Sequence, residues 1–217
     1  MRIHDLSHSI TEGMPLWPGS PVTRVRDAAG YRTDGYLERE YSFSSHAGTH
    51  VDLPLHMLPD GPSLDDCPLD AFAGRGYVLD AASENVGAVT ASVIAAGAPL
   101  EGSCDFLLIH TGWSSRWGSP SYFEACPYLQ EDAAVLLVSM GLKGIGIDSP
   151  SIDAPHLGAY PAHRMLLGHG LAVIENLTGL FPLIGKRFLF SAFPLKIAGA
   201  EASPVRAAAI EEEELVM

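Results

Sequence analysis

The rhythm of apolar and polar positions changes several times along the chain, and each change marks an element. Residues 3–6 read as a short strand, after which Pro15, Pro18, Gly19 and Pro21 punctuate a loop. Residues 37–45 form a second extended stretch that ends at the densest polar window of the sequence. Beyond it the pattern is more regular: a buried strand over 76–80, a short helix over 90–96 capped by Thr90, and a strand over 104–110. Residues 130–140 carry the strongest helical pattern, closed by Gly141 in the manner of a C′ glycine, with a strand over 144–148 directly behind. A second helix–strand pair follows at 162–167 and 171–175, and residues 187–193 and 205–210 read as the last strands. Strands interleaved with helices predict an α/β domain. The Gly- and Pro-rich first third predicts that its sheet is mixed, with an antiparallel part and irregular connections. No repeat or linker divides the chain, so residues 1–217 are expected to form a single domain.

Charge narrows the function classes. Thirteen Lys and Arg face 26 Asp and Glu, a net of −13 with histidine neutral. The few basic residues form no stripe, which excludes a nucleic-acid footprint and argues against an anionic membrane surface. No apolar run is long enough to span a bilayer. The first ten residues lack the basic-then-apolar layout of a signal peptide, so the chain is expected in the cytoplasm. Cys67, Cys104 and Cys126 stand singly, as reduced thiols do there. The acidic run 211–214 reads as a solvated tail end.

Five of the nine histidines fall in two short windows. In the first, His46, His50, Asp52 and His56 lie within eleven residues, a set that zinc, manganese or iron accepts. A straight strand would hold His46 and Asp52 roughly 20 Å apart, so the chain must fold back between them. Gly48, Thr49 and Pro54 permit that bend, and a helical turn would put His46 and His50 on one face. Ala47 stands where the zinc-protease motif requires glutamate, so the general base must come from elsewhere, and His56 is the candidate. The second window holds His163, His169 and Glu175. Glu175 ends an apolar strand, where a charge has to be paired or ligating. Six helical residues rotate a face by about 240°, so His163 and His169 cannot both point inward. His163 is taken as the inward one, and His169, between two glycines, as an exposed turn residue. Trp17 is either a loop aromatic pinned to the core or an apolar wall for a planar substrate. His110 reads as a satisfied rim histidine, Ser7 and Asp148 as ordinary loop polars, and His4, His8 and His156 carry no assigned role.

These residues give the chain a family resemblance. His46, Gly48, Thr49, His50, Asp52, Pro54 and His56 match in full the HxGTHxDxPxH motif of the metal-dependent cyclase/hydrolase family that contains bacterial-type kynurenine formamidase and isatin hydrolase. Satellite segments appear in order at 5–7, 17–19, 111–113, 146–148, 175–177 and 194–196, so the likeness runs from about residue 3 to 210. The resemblance implies a swivelling β/β/α fold, a homodimer or higher oligomer, and two divalent ions, zinc or alternatively manganese. It implies that His46, His50 and Asp52 hold the first ion and that Asp52 bridges to a second held by His163 and Glu175. By the same resemblance His56 is the catalytic acid/base and Trp17 stacks on the substrate, while His169 lies outside the pattern.

The chemistry is coherent: a metal lowers the pKa of its bound water towards 7, steadies the oxyanion, and a histidine protonates the leaving nitrogen. The expected activity is hydrolysis of an aryl formamide, N-formylkynurenine giving kynurenine and formate. A hydrolase of isatin or another cyclic amide or lactone is the nearest alternative, and a non-catalytic metal-binding or sensing module the more distant one.

Overall fold

The computed structural model describes residues 1–82, 87–99, 102–155 and 158–211. The first half comprises β1 (Arg2–Asp5), β2 (Arg24–Ala29), β3 (Glu38–Ser42), β4 (His50–Asp52), β5 (Ala73–Asp80), β6 (Ala88–Val89), α1 (Ala91–Gly97), β7 (Phe106–His110) and β8 (Tyr128–Leu129). The second half comprises α2 (Glu131–Ser139), β9 (Gly144–Ile147), α3 (Pro161–Gly168), β10 (Ala172–Glu175), β11 (Arg187–Ser191), β12 (Ala202–Pro204) and β13 (Ala208–Glu211). His156 and the acidic run beyond Glu211 lie outside the described residues.

Nine strands form one mixed sheet in the order β1-β13-β11-β5-β7-β9-β10-β4-β12. Its centre, β5-β7-β9-β10, is parallel, and both flanks are antiparallel. The parallel strands β7, β9 and β10 are apolar up to their last residues, because both of their faces are covered. Leu107, Ile109, Ile145 and Val173 meet the helices through Ile94, Leu137 and Leu166. Phe106, Leu108 and Ile174 face the opposite side, against Val51, Leu53 and Phe190. Gly146 is required by this second core: a Cβ there would lie 2.5 Å from Leu177 Cδ1 and 2.7 Å from Leu108 Cδ2.

The helices begin and end where the pattern predicts. Thr90 Oγ1 accepts from Val93 N at 3.3 Å to cap α1, and Gly141 behind α2 has φ 68°. Two extended stretches differ. Residues 205–210 do not make one strand, because Val205 N donates to Thr49 O while Ala207 N donates to Ser7 Oγ. The chain there leaves one end of the sheet for the other. β12 is an edge strand and β13 lies one strand in from the far edge, with only residues 205–207 between them. The sheet therefore curls until its two ends approach. The stretch at 37–45 contributes only β3, which pairs with β2 in a separate hairpin whose β3 residues are all exposed.

Candidate metal centre

The window around His46 folds as a turn followed by β4, not as the helical turn considered from sequence. Gly48 takes φ 64°, which reverses the chain, and His50 and Asp52 then sit two apart on one face of a strand. β4 pairs antiparallel with β10, and the register sets His50 opposite Glu175. α3 lies over β10 and brings His163 down from its third position. Two windows more than 100 residues apart, the turn with β4 and α3 with β10, thus converge on one carboxylate, Asp52.

Asp52 is fully buried. His46 Nδ1 lies 2.8 Å and His50 Nε2 3.4 Å from its Oδ1, and His163 Nε2 lies 3.6 Å from its Oδ2. Glu175 faces the same point, 3.1 Å from His163 Nε2 and 3.5 Å from His50 Nε2. Despite this crowding, no well-directed hydrogen bond among the described residues reaches either Asp52 oxygen or His50 Nε2. Buried polar atoms left this way are costly unless something else satisfies them, and a cation between them does. The donors form two clusters that share Asp52: His46, Asp52 and His56, and His50, Asp52 and Glu175. The imidazole and carboxylate set fits a divalent transition ion.

Neighbouring groups fix the imidazoles. His50 Nδ1 donates to Gly48 O at 2.9 Å, because a carbonyl can only accept, and this turns its Nε2 towards Asp52. His163 Nδ1 likewise donates to Asp153 Oδ2 at 2.7 Å and turns its Nε2 towards Asp52. Glu201, which accepts from Ser45 Oγ at 2.6 Å, lies 3.4 Å from His46 Nε2 on the side away from Asp52. Carboxylates behind metal-facing histidines both orient the ring and raise its basicity.

The electrostatics follow from the burial of these charges. Burial opposes ionisation of Asp52, but the surrounding imidazoles of His50, His46 and His163 hold its carboxyl well below the usual range. Burial likewise opposes a charge on His163, yet Glu175, Asp153 and Asp52 raise it well above the ordinary imidazole value. His46 is raised against its own burial, chiefly by Asp52. His56, at the end of a 3₁₀ turn over Pro54–His56, goes the other way: burial lowers it. Its ring centroid is 4.3 Å from that of His46 and 5.8 Å from that of His163.

A cavity of about 420 Å³ opens onto these residues, and Trp17, Phe123, Tyr160, Arg164 and Asn176 complete its wall. Trp17 is half-buried and meets Phe123 edge-on, with ring centroids 5.8 Å apart. His169 is exposed at the end of α3 and bonds Met165 O, so it does not join the cluster. His110 is satisfied by Asp80 at 3.1 Å, outside the cavity wall.

Sequence reasoning passed over or undervalued four residues. Glu201 is a carboxylate in apolar surroundings, the same signal that singled out Glu175, whereas Asp153 sits in a polar stretch with Asp148, Ser149 and Ser151. Asp148 is no ordinary loop polar. It is fully buried and accepts from Thr111 N, Thr111 Oγ1 and Gly112 N at 2.7, 2.6 and 2.9 Å. Burial pushes its carboxyl upward against those bonds. The segments 111–113 and 146–148 are therefore one structural unit. Asn176 joins another pair: its carbonyl accepts from Thr49 Oγ1, its Nδ2 donates to Gly48 O, and Tyr122 Oη donates to its Oδ1.

The Cyclase family model matches residues 4–154 of this sequence. The chain belongs to the cyclase family. A kynurenine formamidase of Salinibacter ruber is 32% identical over 209 residues, 95% of this chain and 96% of that protein. Among solved structures of this cyclase fold, isatin hydrolase A from Labrenzia aggregata bound to benzyl benzoate superposes with a TM-score of 0.85 at 28% identity, over 97% of this chain and 94% of that one. Another, described as a potential metal-dependent hydrolase with cyclase activity, gives 0.78 at 29% identity over 98% of both chains. The curled mixed sheet with helices on one face is the cyclase architecture of these structures. No helix among the described residues is long and apolar enough to cross a membrane.

Proposed function

We propose that this chain hydrolyses an aryl formamide, N-formylkynurenine giving kynurenine and formate. It is a metal-dependent hydrolase of the cyclase family acting on amide carbon–nitrogen bonds, in line with its kynurenine formamidase and isatin hydrolase relatives. The observation that carries the reading is the buried, unsatisfied Asp52 carboxylate shared by two donor clusters. In our assignment His46, His50 and Asp52 hold one divalent ion and Asp52, His163 and Glu175 a second, zinc in the first instance and manganese in the alternative. Such ions bring a water's pKa towards neutrality and polarise the amide carbonyl. Asp52 and Glu175 offset their charge, and Asp153, Glu201 and the Gly48 carbonyl hold the three imidazoles in place.

His56 delivers the proton that the departing arylamine nitrogen needs. Burial lowers its pKa, which favours the neutral ring that can take up a proton and pass it on. Trp17 supplies a flat apolar wall for the aromatic ring. The working unit is a homodimer or larger homo-oligomer. Support comes from the β2–β3 hairpin, which exposes Tyr36 and Tyr41 and would be marginal in water as a lone two-stranded element. The free Cys67, Cys104 and Cys126 suit a reducing cytoplasm.

Formate release from N-formylkynurenine by the metal-loaded protein, and its loss on chelation, is the expected result. Cleavage of isatin with no release from any aryl formamide would move the assignment to the cyclic amide, the reading favoured by the likeness to isatin hydrolase A.

A further inference from the structure

We infer that Arg164 selects substrates carrying a carboxylate away from the scissile amide. The inference rests on the formamidase reading and narrows its substrate class. Arg164 is the single Lys or Arg among the residues lining the cavity. That is unexpected in a chain with net charge −13, whose cavity already holds Asp52 and Glu175. Five other basic side chains meet carboxylates, Arg26, Arg39, Arg75, Lys186 and Arg206, but none of them lines the cavity. Among the described residues no carboxylate pairs with Arg164.

It is held by carbonyls instead. Its Nε donates to Ala159 O and one terminal nitrogen to Met57 O, each at 3.3 Å. Carbonyl acceptors fix the plane of a guanidinium without neutralising it. Arginine has five N–H donors, so the remainder stay available for a forked contact with an anion. The Met57 anchor ties that fork to the residue after His56, the group assigned to protonate the leaving nitrogen, and Arg164 and His56 line the same cavity. An aryl formamide whose side chain ends in a carboxylate can then engage Arg164 with that end while the formamide reaches the two donor clusters. Uncharged aryl formamides lack the second anchor. Because the contact is made alike in the bound substrate and in the transition state, it acts on KM more than on kcat.

The test compares metal-loaded wild type, Arg164→Gln and Arg164→Lys on N-formylkynurenine and on the uncharged N-formyl-2-aminoacetophenone. Arg164→Gln should raise KM for N-formylkynurenine by about 10–100-fold, the worth of a charge-assisted pair, with kcat nearly constant. Arg164→Lys should recover part of the loss, and the uncharged substrate should not respond. Equal effects on both substrates, or none, would overturn the assignment. If wild type releases formate from neither, the formamidase reading fails, and Arg164 is judged by binding alone. Kynurenine should then quench the intrinsic tryptophan fluorescence at concentrations at least about tenfold lower than 2-aminoacetophenone, a preference that Arg164→Gln removes. Wild type without that preference, or a variant that keeps it, refutes the role of Arg164.

Discussion

Asp153 Oδ2 accepts from both the backbone N–H and the ring Nδ1 of His163, at 3.0 and 2.7 Å. One carboxylate therefore fixes where α3 starts and which ring nitrogen of His163 faces Asp52. Asp153→Asn keeps an acceptor but loses the charge that supports a basic imidazole. Metal affinity should fall by about 10–100-fold, as judged by competition with a chromogenic chelator. An unchanged affinity would mean that α3 alone positions the ring.

Metal uptake should also respond to pH in a defined direction. Against the cost of burial, the surrounding carboxylates raise His163 well above the usual imidazole value and raise His46 as well, so the metal-free site holds protons that an ion must displace. Affinity therefore falls as pH falls. For stability, a raised imidazole supports the metal-free fold fully below its unfolded value of 6.5 and loses that support as pH rises through the folded value. The metal-loaded protein has no such loss. The gap in Tm between loaded and chelated protein should widen as pH rises above about 6.5, and differential scanning calorimetry across that range checks the sign. A gap that narrows would contradict it.

His56 lies close enough to His46 and Asp52 to belong to their donor cluster, so its role turns on metal content. As a proton carrier it can be lost without emptying the site. His56→Ala should retain its metal by elemental analysis while turnover of amides falls by about 10²–10⁴-fold. The fall should be smaller for an activated phenyl ester, whose leaving group needs no proton. Loss of metal would make His56 a ligand.

For Trp17, half exposure and a single edge contact with Phe123 point to the cavity more than to the core. Trp17→Ala should raise KM for aryl formamides and change Tm little. A core tryptophan would cost roughly 3–5 kcal/mol, which a thermal melt detects at once.

The sequence made the central strands and the helices legible because their burial is periodic and their caps are local. Thr90 and Gly141 announce α1 and α2 through contacts within a few residues. The hairpin escaped notice because β3 is exposed on both faces and carries no alternation. The break at 205–207 depends on Thr49 and Ser7, which no local pattern reveals. The donor set was readable because the motif compresses it, and Glu175 because a lone acid ended an apolar strand. The conformation of His50 was not: its partners across the sheet, Glu175 and Pro204, lie 125 and 154 residues downstream, and only those pairings make residues 50–52 a strand.

The curl of the sheet has a consequence for biosynthesis. A nascent chain that has emerged as far as β11 already carries every proposed ligand, His46 through Glu175. It lacks β12, which covers the outer edge of β4, and Glu201, which backs His46. Without those residues His50 and Asp52 would sit on an edge strand whose outer ladder groups are unpaired. A chain cut before residue 201 would therefore keep the whole motif yet lose both the strand that closes β4 and the carboxylate behind His46.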